Sequence, residues 1–156
     1  MEKYMNQLST GKKISRPSDD PVIAMKGMNF RTQVSEVEQF KRNVGEVHNW
    51  MDNSDAALDK ATQAMHRLSE LAVQASNDTY DTEERQSILE EVEQLKEHLV
   101  DIANTNVNGK YIFNGTNTGN KAVTINDDGT VDATQINSKP VKIEVSKGTA
   151  LTVNVN

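Results

Sequence analysis

The apolar residues in the middle of the chain follow a heptad pattern, recurring at alternating steps of three and four. An average step of 3.5 residues places them on one seam of an α-helix that packs against other helices. We predict a helix from about Pro21 to about Ser76, spanning roughly 80 Å at 1.5 Å per residue. Asn, Asp and Ser residues gather between Asn49 and Ser54, and this cluster predicts a weak point in the helix. The seam consists of Val37, Phe40, Val44, Val47, Met51, Ser54, Leu58, Ala61, Met65, Leu68, Ala72 and Ala75.

A polar break at residues 77–80 separates this helix from a shorter one. Asp81 and Glu84 have capping-box spacing, which predicts a second helix that continues to about Asn104. A short loop makes the two helices antiparallel. The second helix, about 33 Å long, covers less than half of the first. The stripe from about Val22 to Met51 therefore needs another segment, another copy or a sequence outside this chain. The second seam consists of Ile88, Val92, Leu95, Leu99 and Ile102.

The residues before the long helix carry signals for one helix end and one helix start. Met1 to Leu8 has helical apolar spacing, and Gly11 suits the left-handed conformation that follows a helix. Asp19 and Asp20 can accept free backbone N–H groups, and Pro21 fits the first helical turn. We therefore predict the last turns of one helix, a linker, and then the start of the long helix.

After Ala103 the chain becomes rich in Asn and Gly, and short alternating stretches predict β-strands. Asn108-Gly109 and Asn114-Gly115 are turn signals, and Asp127-Asp128-Gly129 is typical of a hairpin turn. A few short strands make a poor independent domain, so we expect this β region to be incomplete. The predicted strands are Val123–Ile125, Val141–Val145 and Leu151–Val155.

These patterns predict a mainly α fold: a long, rod-like antiparallel helical hairpin with heptad seams, plus a small, incomplete β region. We divide the chain into the end of an inner helix and a hinge (1–17), a helical rod (18–105) and a small β-rich region (106–156). Hydrophobic residues make up 35% of the chain and aromatic residues only 4%, which disfavours a thick globular core.

Charge and composition disfavour nucleic acid and membrane as partners and exclude cysteine-based sites. Residues 1–103 hold 12 Lys or Arg against 19 Asp or Glu, whereas residues 104–156 hold 5 against 4. An acidic rod disfavours nucleic acid as a partner, because phosphate binding needs concentrated positive charge. The chain has no cysteine, which excludes disulfides and thiolate metal sites. No apolar run approaches the roughly 18 residues that a bilayer span needs, so we predict no membrane insertion.

Candidate chemical sites are weak throughout the sequence. His48, His66 and His98 lack the i, i+4 spacing of a helical metal site, and we predict that they are surface residues. The stretch Thr124 to Gln135 partly matches a calcium loop, but its end positions lack the required acidic ligands, so we expect a turn. No catalytic, metal or cofactor site is predicted, and nothing supports an enzyme.

Several motifs together resemble the flagellin superfamily over about residues 1–120. The stretch Leu68 to Thr79 resembles the end of the family's long rod helix, and Thr10 to Ile14 its hinge. Ile102 to Thr105, leading to Phe113-Asn114-Gly115, resembles its exit from the second helix. The positions that carry the family motifs are Gly11, Asp19, Asp20, Pro21, Asn77, Thr79, Phe113, Asn114 and Gly115.

Two of these segments resemble the hook-associated junction proteins more closely than flagellin. In Arg16 to Pro21, prolines stand on both sides of the acidic pair, and Gly109 to Thr116 is similar to the same group. Members of the family run on to a C-terminal helix and begin with a longer N-terminal one. The resemblance therefore implies that this chain is an N-terminal and middle fragment.

The resemblance implies a structural component of the bacterial flagellum, without enzymatic activity or cofactor. It implies export by the flagellar type III apparatus and assembly outside the cell, where the protein joins hook to filament. Implied partners are the other hook-associated junction protein, flagellin and copies of the chain in a ring, with an export chaperone as a further candidate. Two alternatives stay open, namely flagellin itself, and a non-flagellar helical adhesin or binding module.

Overall fold

The computed structural model describes residues 2–14, 16–76 and 81–155, which form three helices followed by three short β-hairpins. The two long helices match the predicted bounds to within one residue. The helices are α1 (Glu2–Thr10), α2 (Pro21–Ala75) and α3 (Thr82–Ala103). The strands are β1 (Asn106–Val107), β2 (Lys110–Tyr111), β3 (Thr124–Ile125), β4 (Val131–Asp132), β5 (Lys142–Ser146) and β6 (Thr149–Thr152). The predicted mainly α fold with a small β region is confirmed.

Contacts divide the chain into two compact units, residues 1–43 and residues 44–156, with the division inside α2. The first unit contains α1, the linker and the beginning of α2. The second contains the rest of α2, α3 and all six strands. The predicted domain limits, at 17/18 and 105/106, stay predictions.

The helix signals of the first unit are found where the sequence predicts them. Helix α1 ends at Thr10, and Gly11 follows with φ +63°, a left-handed conformation that glycine adopts without steric cost. At the start of α2, the Asp20 carboxylate accepts the N–H of Ile23 at 3.1 Å. Asp20 therefore caps the helix, which begins at Pro21.

Helix α2 continues without a break through residues 49–54, so the predicted weak point is wrong. The amide of Asn53 donates to the carbonyl of Asn49 at 2.6 Å, and the hydroxyl of Ser54 donates to the carbonyl of Trp50 at 2.9 Å. These short polar side chains bond to the preceding turn of their own helix, so they are satisfied without competing for its backbone N–H groups.

Helix α3 begins with the predicted capping box. The carboxylate of Asp81 accepts the N–H groups of Glu83 at 3.1 Å and Glu84 at 3.0 Å. The Glu84 carboxylate in turn accepts the N–H of Asp81 at 3.3 Å. Both glutamates lie in the first turn, where the helix dipole favours negative charge.

Replacing Asp81 by alanine is expected to lower the free energy of unfolding by about 0.5–2 kcal/mol, because the substitution removes the acceptor for two N–H groups. Urea denaturation followed by far-UV circular dichroism measures the loss. Asp81→Asn is the matched control, since asparagine also caps helices and is expected to keep most of the stability. Equal losses in the two variants would contradict the capping role.

The β-strands form three separate antiparallel hairpins. In the first, Val107 pairs with Lys110, which leaves Asn108 and Gly109 as the two turn residues with φ of 53° and 81°. Positive φ at both positions is the signature of a type I′ turn, for which Asn-Gly is the favoured sequence. In the second hairpin Ile125 pairs with Val131, so the predicted turn at residues 127–129 is confirmed.

Candidate assembly surface

In the second unit, α2 and α3 lie antiparallel to each other. The guanidinium of Arg67 donates to the carboxylate of Glu91 through two bonds of 2.6 and 3.0 Å. Ala57, ten residues earlier in α2, lines the same cavity as Asp101, ten residues later in α3. Decreasing residue numbers in α2 thus correspond to increasing numbers in α3, which is the antiparallel arrangement of the predicted hairpin.

The buried residues of α2 in this unit form a heptad series of their own, with steps of three and four. Small side chains occupy the middle of the series and larger ones its two ends, and Leu71 is almost completely buried, with 1% of its surface exposed. The series consists of Val47, Trp50, Ser54, Ala57, Ala64 and Leu71, with the half-buried Ala61 and Leu68 between them. On α3, Ile88 and Ile102 are buried, and Val92, Leu95 and Leu99 are half-buried.

The structure divides the predicted seam of α2 between two sides of the helix. Val47 is buried and Leu68 is half-buried, in the series just described. The members at the alternate heptad positions are exposed, so the hairpin itself does not bury them. These exposed members are Val44, Met51, Leu58, Met65 and Ala72. Their role as a rod seam stays a prediction, and we refer to these five residues as the outer stripe.

The outer stripe is an unpaired apolar surface on a polar helix. Its members recur every seven residues over about 42 Å of helix, and Met51 and Met65 have 55% and 54% of their surfaces exposed. A single exposed apolar residue is ordinary, but a regular row is typical of an interaction surface. In residues 1–43, described by themselves, six large apolar residues of α2 are exposed as well, whereas Ala24 is buried and Ile23 and Phe40 are half-buried. The six exposed residues are Val22, Met25, Met28, Phe30, Val34 and Val37.

The β region of the second unit packs on α2 around the only tryptophan in the sequence. Val47 and Trp50 form a buried cluster with Ile112 and Val153, and Ile112 is fully buried. The Trp50 indole N–H is buried and has no hydrogen-bond partner among residues 2–14, 16–76 and 81–155. Partly buried residues that surround the cluster are Val107, Phe113, Val141, Ile143 and Val145. Sequence analysis missed the role of Trp50, although a lone tryptophan beside a predicted seam is a usable signal.

The motif residues Asn114 and Gly115 hold the loops of the β region together. The fully buried Asn114 amide donates to the carbonyl of Asn120 at 3.0 Å, and its oxygen accepts the N–H of Asn137 at 2.9 Å. Gly115 has φ +48°, and a Cβ there would lie 2.2 Å from the carbonyl oxygen of Asn137. Only glycine can adopt this φ without strain and leave room for the Asn137 carbonyl, which explains why glycine follows Asn114 in the motif.

Asn104 has a similar role at the end of α3, which sequence analysis did not foresee. Its side-chain oxygen accepts the N–H groups of Ala122 at 3.0 Å and Val123 at 3.1 Å, and its amide donates to the Val123 carbonyl at 2.6 Å. The Asn104 side chain thus connects the end of α3 to the residues that directly precede β3. An asparagine directly after a helix is the signal that could have indicated this contact.

Most of the other motif residues make contacts close to their own place in the sequence, and two lie outside the described residues. Gly11, Asp20 and Pro21 belong to the helix end and helix start of the first unit, and the Asp19 carboxylate accepts the N–H of Arg16 at 2.9 Å. Phe113 is half-buried beside the tryptophan cluster. The predicted positions Asn77 and Thr79 lie outside the described residues.

The described part of the chain contains no cluster of metal-ligating side chains. His48, His66 and His98 are all exposed, as predicted. Among the residues that the structure describes, no three His, Cys, Asp or Glu side chains come together as a metal site. In the predicted turn, Asp128 accepts the hydroxyl and N–H of Thr130, which lowers the pKa of this carboxyl. No described helix is both long and apolar enough to cross a membrane.

The Arg67–Glu91 pair gives the hairpin a pH-dependent contact. Hydrogen bonds from the guanidinium lower the pKa of Glu91 below its ordinary value, and the two carboxylates of Glu91 and Glu70 raise the pKa of Arg67. Because both members are partly exposed, with 46% and 39% of their side-chain surfaces accessible, water screens the attraction. The contact therefore serves to align the helices more than to stabilise them.

We expect the Glu91→Gln variant to lose less melting temperature on acidification than the wild type. A carboxyl whose pKa is lowered by folding stabilises the fold above its ordinary pKa, and the contribution disappears as the pH falls through the lowered value. Melting curves between about pH 5 and pH 2 test this difference. Glu90→Gln is the control, because the Glu90 carboxylate has no ion pair in the described part of the chain. The prediction fails if the two variants have the same pH slope.

Comparison with known proteins identifies the family. Residues 1–118 match the model of the bacterial flagellin N-terminal helical region. The chain belongs to the flagellin family. This assignment covers α1, α2, α3 and the first β-hairpin, so the predicted family resemblance is confirmed.

The relatives of this chain include both hook-associated proteins and filament proteins. The chain is 32% identical over 114 residues to flagellar hook-associated protein 3 of Escherichia coli strain K12, covering 72% of this chain and 36% of the relative. It is 36% identical over 114 residues to the flagellar filament 31.3 kDa core protein of Treponema maltophilum, covering 72% and 40%. The chain thus spans well under half the length of these relatives.

A solved structure extends the similarity beyond the flagellin N-terminal region. The flagellar junction protein FlgL from Legionella pneumophila superposes with a TM-score of 0.67 at 25% sequence identity. The superposition covers 86% of this chain and 40% of that protein. It therefore includes residues past 118, where the family model ends.

Proposed function

We propose that this chain is a structural component of the bacterial flagellum that joins the hook to the filament. The observation that carries the proposal is the superposition on the flagellar junction protein FlgL, because it extends past residue 118 into the β region. The 32% identity to flagellar hook-associated protein 3 supports the same role. The chain acts by packing against other proteins, without catalysis.

The outer stripe is the surface that supports assembly in this proposal. A row of exposed apolar side chains on α2 is costly in water and gains free energy when another helix covers it. The tryptophan cluster holds the β region against the same helix. The helical hairpin therefore offers one apolar surface to neighbouring proteins, while the tryptophan cluster keeps the β region packed on α2.

Partners and location follow from the proposed role. The chain would pass through the flagellar type III export apparatus, with an export chaperone as a candidate partner inside the cell. Outside the cell it would form a ring of copies, in contact with the other hook-associated junction protein on one side and flagellin on the other. Neither nucleic acid nor membrane is a partner in this proposal.

A second candidate function is that of a filament subunit. The 36% identity to a flagellar filament core protein favours it, because that relative is as similar over the same length as the hook-associated one. The two functions share the helical hairpin and differ in extent: a junction protein forms a short layer, whereas a filament subunit repeats along the whole filament.

Immunogold electron microscopy of cells that carry the gene tests the proposal, with antibody raised against this chain and a deletion strain as the labelling control. We expect a single band of label at the joint between hook and filament. Label along the whole filament would assign the chain to the filament, and an unlabelled flagellum would overturn both functions.

A pair of variants connects this test to the outer stripe. Leu58→Asp places a charge on the stripe at a side chain that is 43% exposed, so we expect the hairpin to stay folded while the label at the joint disappears. The neighbouring Asp59→Asn variant is the matched control and should keep the label. Normal label in Leu58→Asp cells would show that the stripe is not the assembly surface.

A further inference from the structure

The two compact units carry opposite charge. Residues 1–43 contain eight Lys or Arg against five Asp or Glu, whereas residues 44–156 contain nine against eighteen. The net charge of −6 for the whole chain conceals this division. Surfaces of opposite sign on one molecule attract each other between copies, provided that each is concentrated and unpaired.

Four of the eight Lys and Arg residues of the first unit line a cleft. The cleft has a volume of about 430 Å³ and an apolar floor that includes Ile14, Ile23 and Met28. Within the described part of this unit, the rim side chains have no ion-pair partner. The four cationic rim residues are Lys12, Lys13, Arg16 and Arg31. We refer to this surface as the basic cleft; its combination of apolar floor and cationic rim suits a segment that is both apolar and acidic.

A segment with that chemistry lies on α3 of the second unit. Glu90, Glu93 and Glu97 are exposed and stand at steps of three and four, so they form one acidic row along the helix. In the described residues none of them has an ion pair, unlike their neighbour Glu91, which Arg67 holds. Leu89 lies beside the row, four residues before Glu93, with 51% of its surface exposed.

We propose that the basic cleft of one copy binds the acidic row of a second copy, with Leu89 on the apolar floor and the three carboxylates against the cationic rim. The inference rests on the proposed function, because it specifies how copies of the chain meet in an assembly. After two copies pair, one copy keeps a free row and the other keeps a free cleft. Such a head-to-tail contact adds further copies and forms a ring or an open helical array, depending on the rotation between copies, in contrast to the self-complementary contact of a two-fold dimer.

Two charge-reversed variants and their mixture test the contact. Each variant replaces three charges on one surface, and far-UV circular dichroism verifies its helix content. The cleft variant is Lys12→Glu, Arg16→Glu and Arg31→Glu. The row variant is Glu90→Lys, Glu93→Lys and Glu97→Lys. The matched control, with the same change of charge as the cleft variant but in the β region, is Lys121→Glu, Lys142→Glu and Lys147→Glu.

Sedimentation velocity at low and high salt measures the association of the chain with itself. We expect the wild type and the control to associate at low salt, and each reversed variant alone to associate at least tenfold more weakly. An equimolar mixture of the cleft and row variants should associate again, because the acidic cleft of one now faces the basic row of the other. High salt should weaken the contact in the wild type and in the mixture.

Three results would overturn the contact between copies. These are a wild type that stays monomeric at low salt, a mixture that associates no better than the separate variants, and an association that salt leaves unchanged. The last result would assign the contact to an apolar surface such as the outer stripe. None of them affects the immunogold band at the hook–filament joint, so failure of this contact and failure of the proposed function are distinguishable.

Discussion

Replacing Trp50 by alanine is expected to lower the free energy of unfolding by about 3–5 kcal/mol, the range observed when large buried side chains are truncated. Only 4% of the Trp50 surface is exposed, and its ring packs with Val47, Ile112 and Val153. The variant loses the largest side chain of the contact between α2 and the β region, and the three small hairpins cannot replace it because none shares a sheet with another.

Met51→Ala is the matched control, since Met51 is the next residue on the same helix and 55% exposed. Alanine also favours helix, so we expect its unfolding free energy to stay within about 0.5 kcal/mol of the wild type. Urea denaturation followed by circular dichroism compares the two. A larger loss in Met51→Ala than in Trp50→Ala would mean that the outer stripe, and not the tryptophan cluster, is the core of this unit.

Replacing Gly115 by alanine is the second change with a large expected effect. The added Cβ would lie 2.2 Å from the carbonyl oxygen of Asn137 and 2.8 Å from that of Lys139, and both atoms belong to the backbone. Positive φ adds strain for any residue with a side chain. Because backbone must move to relieve the clash, we expect a loss of about 2–5 kcal/mol from overpacking and strain together.

Gly119→Ala tests whether the loss is specific to Gly115. A Cβ at Gly119 would meet nothing within 4 Å, and its φ is not in the left-handed range, so the substitution should be within about 0.5 kcal/mol of neutral. Hydrogen exchange of the Asn137 N–H, which Asn114 accepts, should become faster in Gly115→Ala and stay unchanged in Gly119→Ala. Stable, protected Gly115→Ala protein would refute the close approach.

Elements that depend on neighbouring residues could be predicted from the sequence. The start of α3 follows from the reciprocal bonds of Asp81 and Glu84, and the first hairpin turn follows from the positive φ that Asn108 and Gly109 tolerate. These signals act within a few residues, so the rest of the chain cannot change them much. The bounds of α2 and the hairpin at residues 127–129 have the same local origin.

Features that depend on distant residues could not be predicted in this way. A heptad pattern indicates that a helix has an apolar face, but it does not say which edge of that face meets α3. In the structure Ala57, Ala64 and Leu71 lie on the buried side, while Met51 and Met65 are exposed, and no spacing rule distinguishes the two sides. The partners of Asn114 lie as far as 23 residues away in the sequence, and no spacing rule connects them. Asn77 and Thr79 lie outside the described residues and stay untested.

The difference between the two sides of α2 has a thermodynamic consequence. The side within the hairpin buries Ala57, Ala64 and Leu71, whereas the outer stripe holds the side chains of Met51, Leu58 and Met65 in contact with water. A molecule that covers this stripe binds the folded chain and has no comparable surface on the unfolded one. Binding of this molecule therefore stabilises the folded state, and the melting temperature of the chain rises with the concentration of the molecule that covers the stripe.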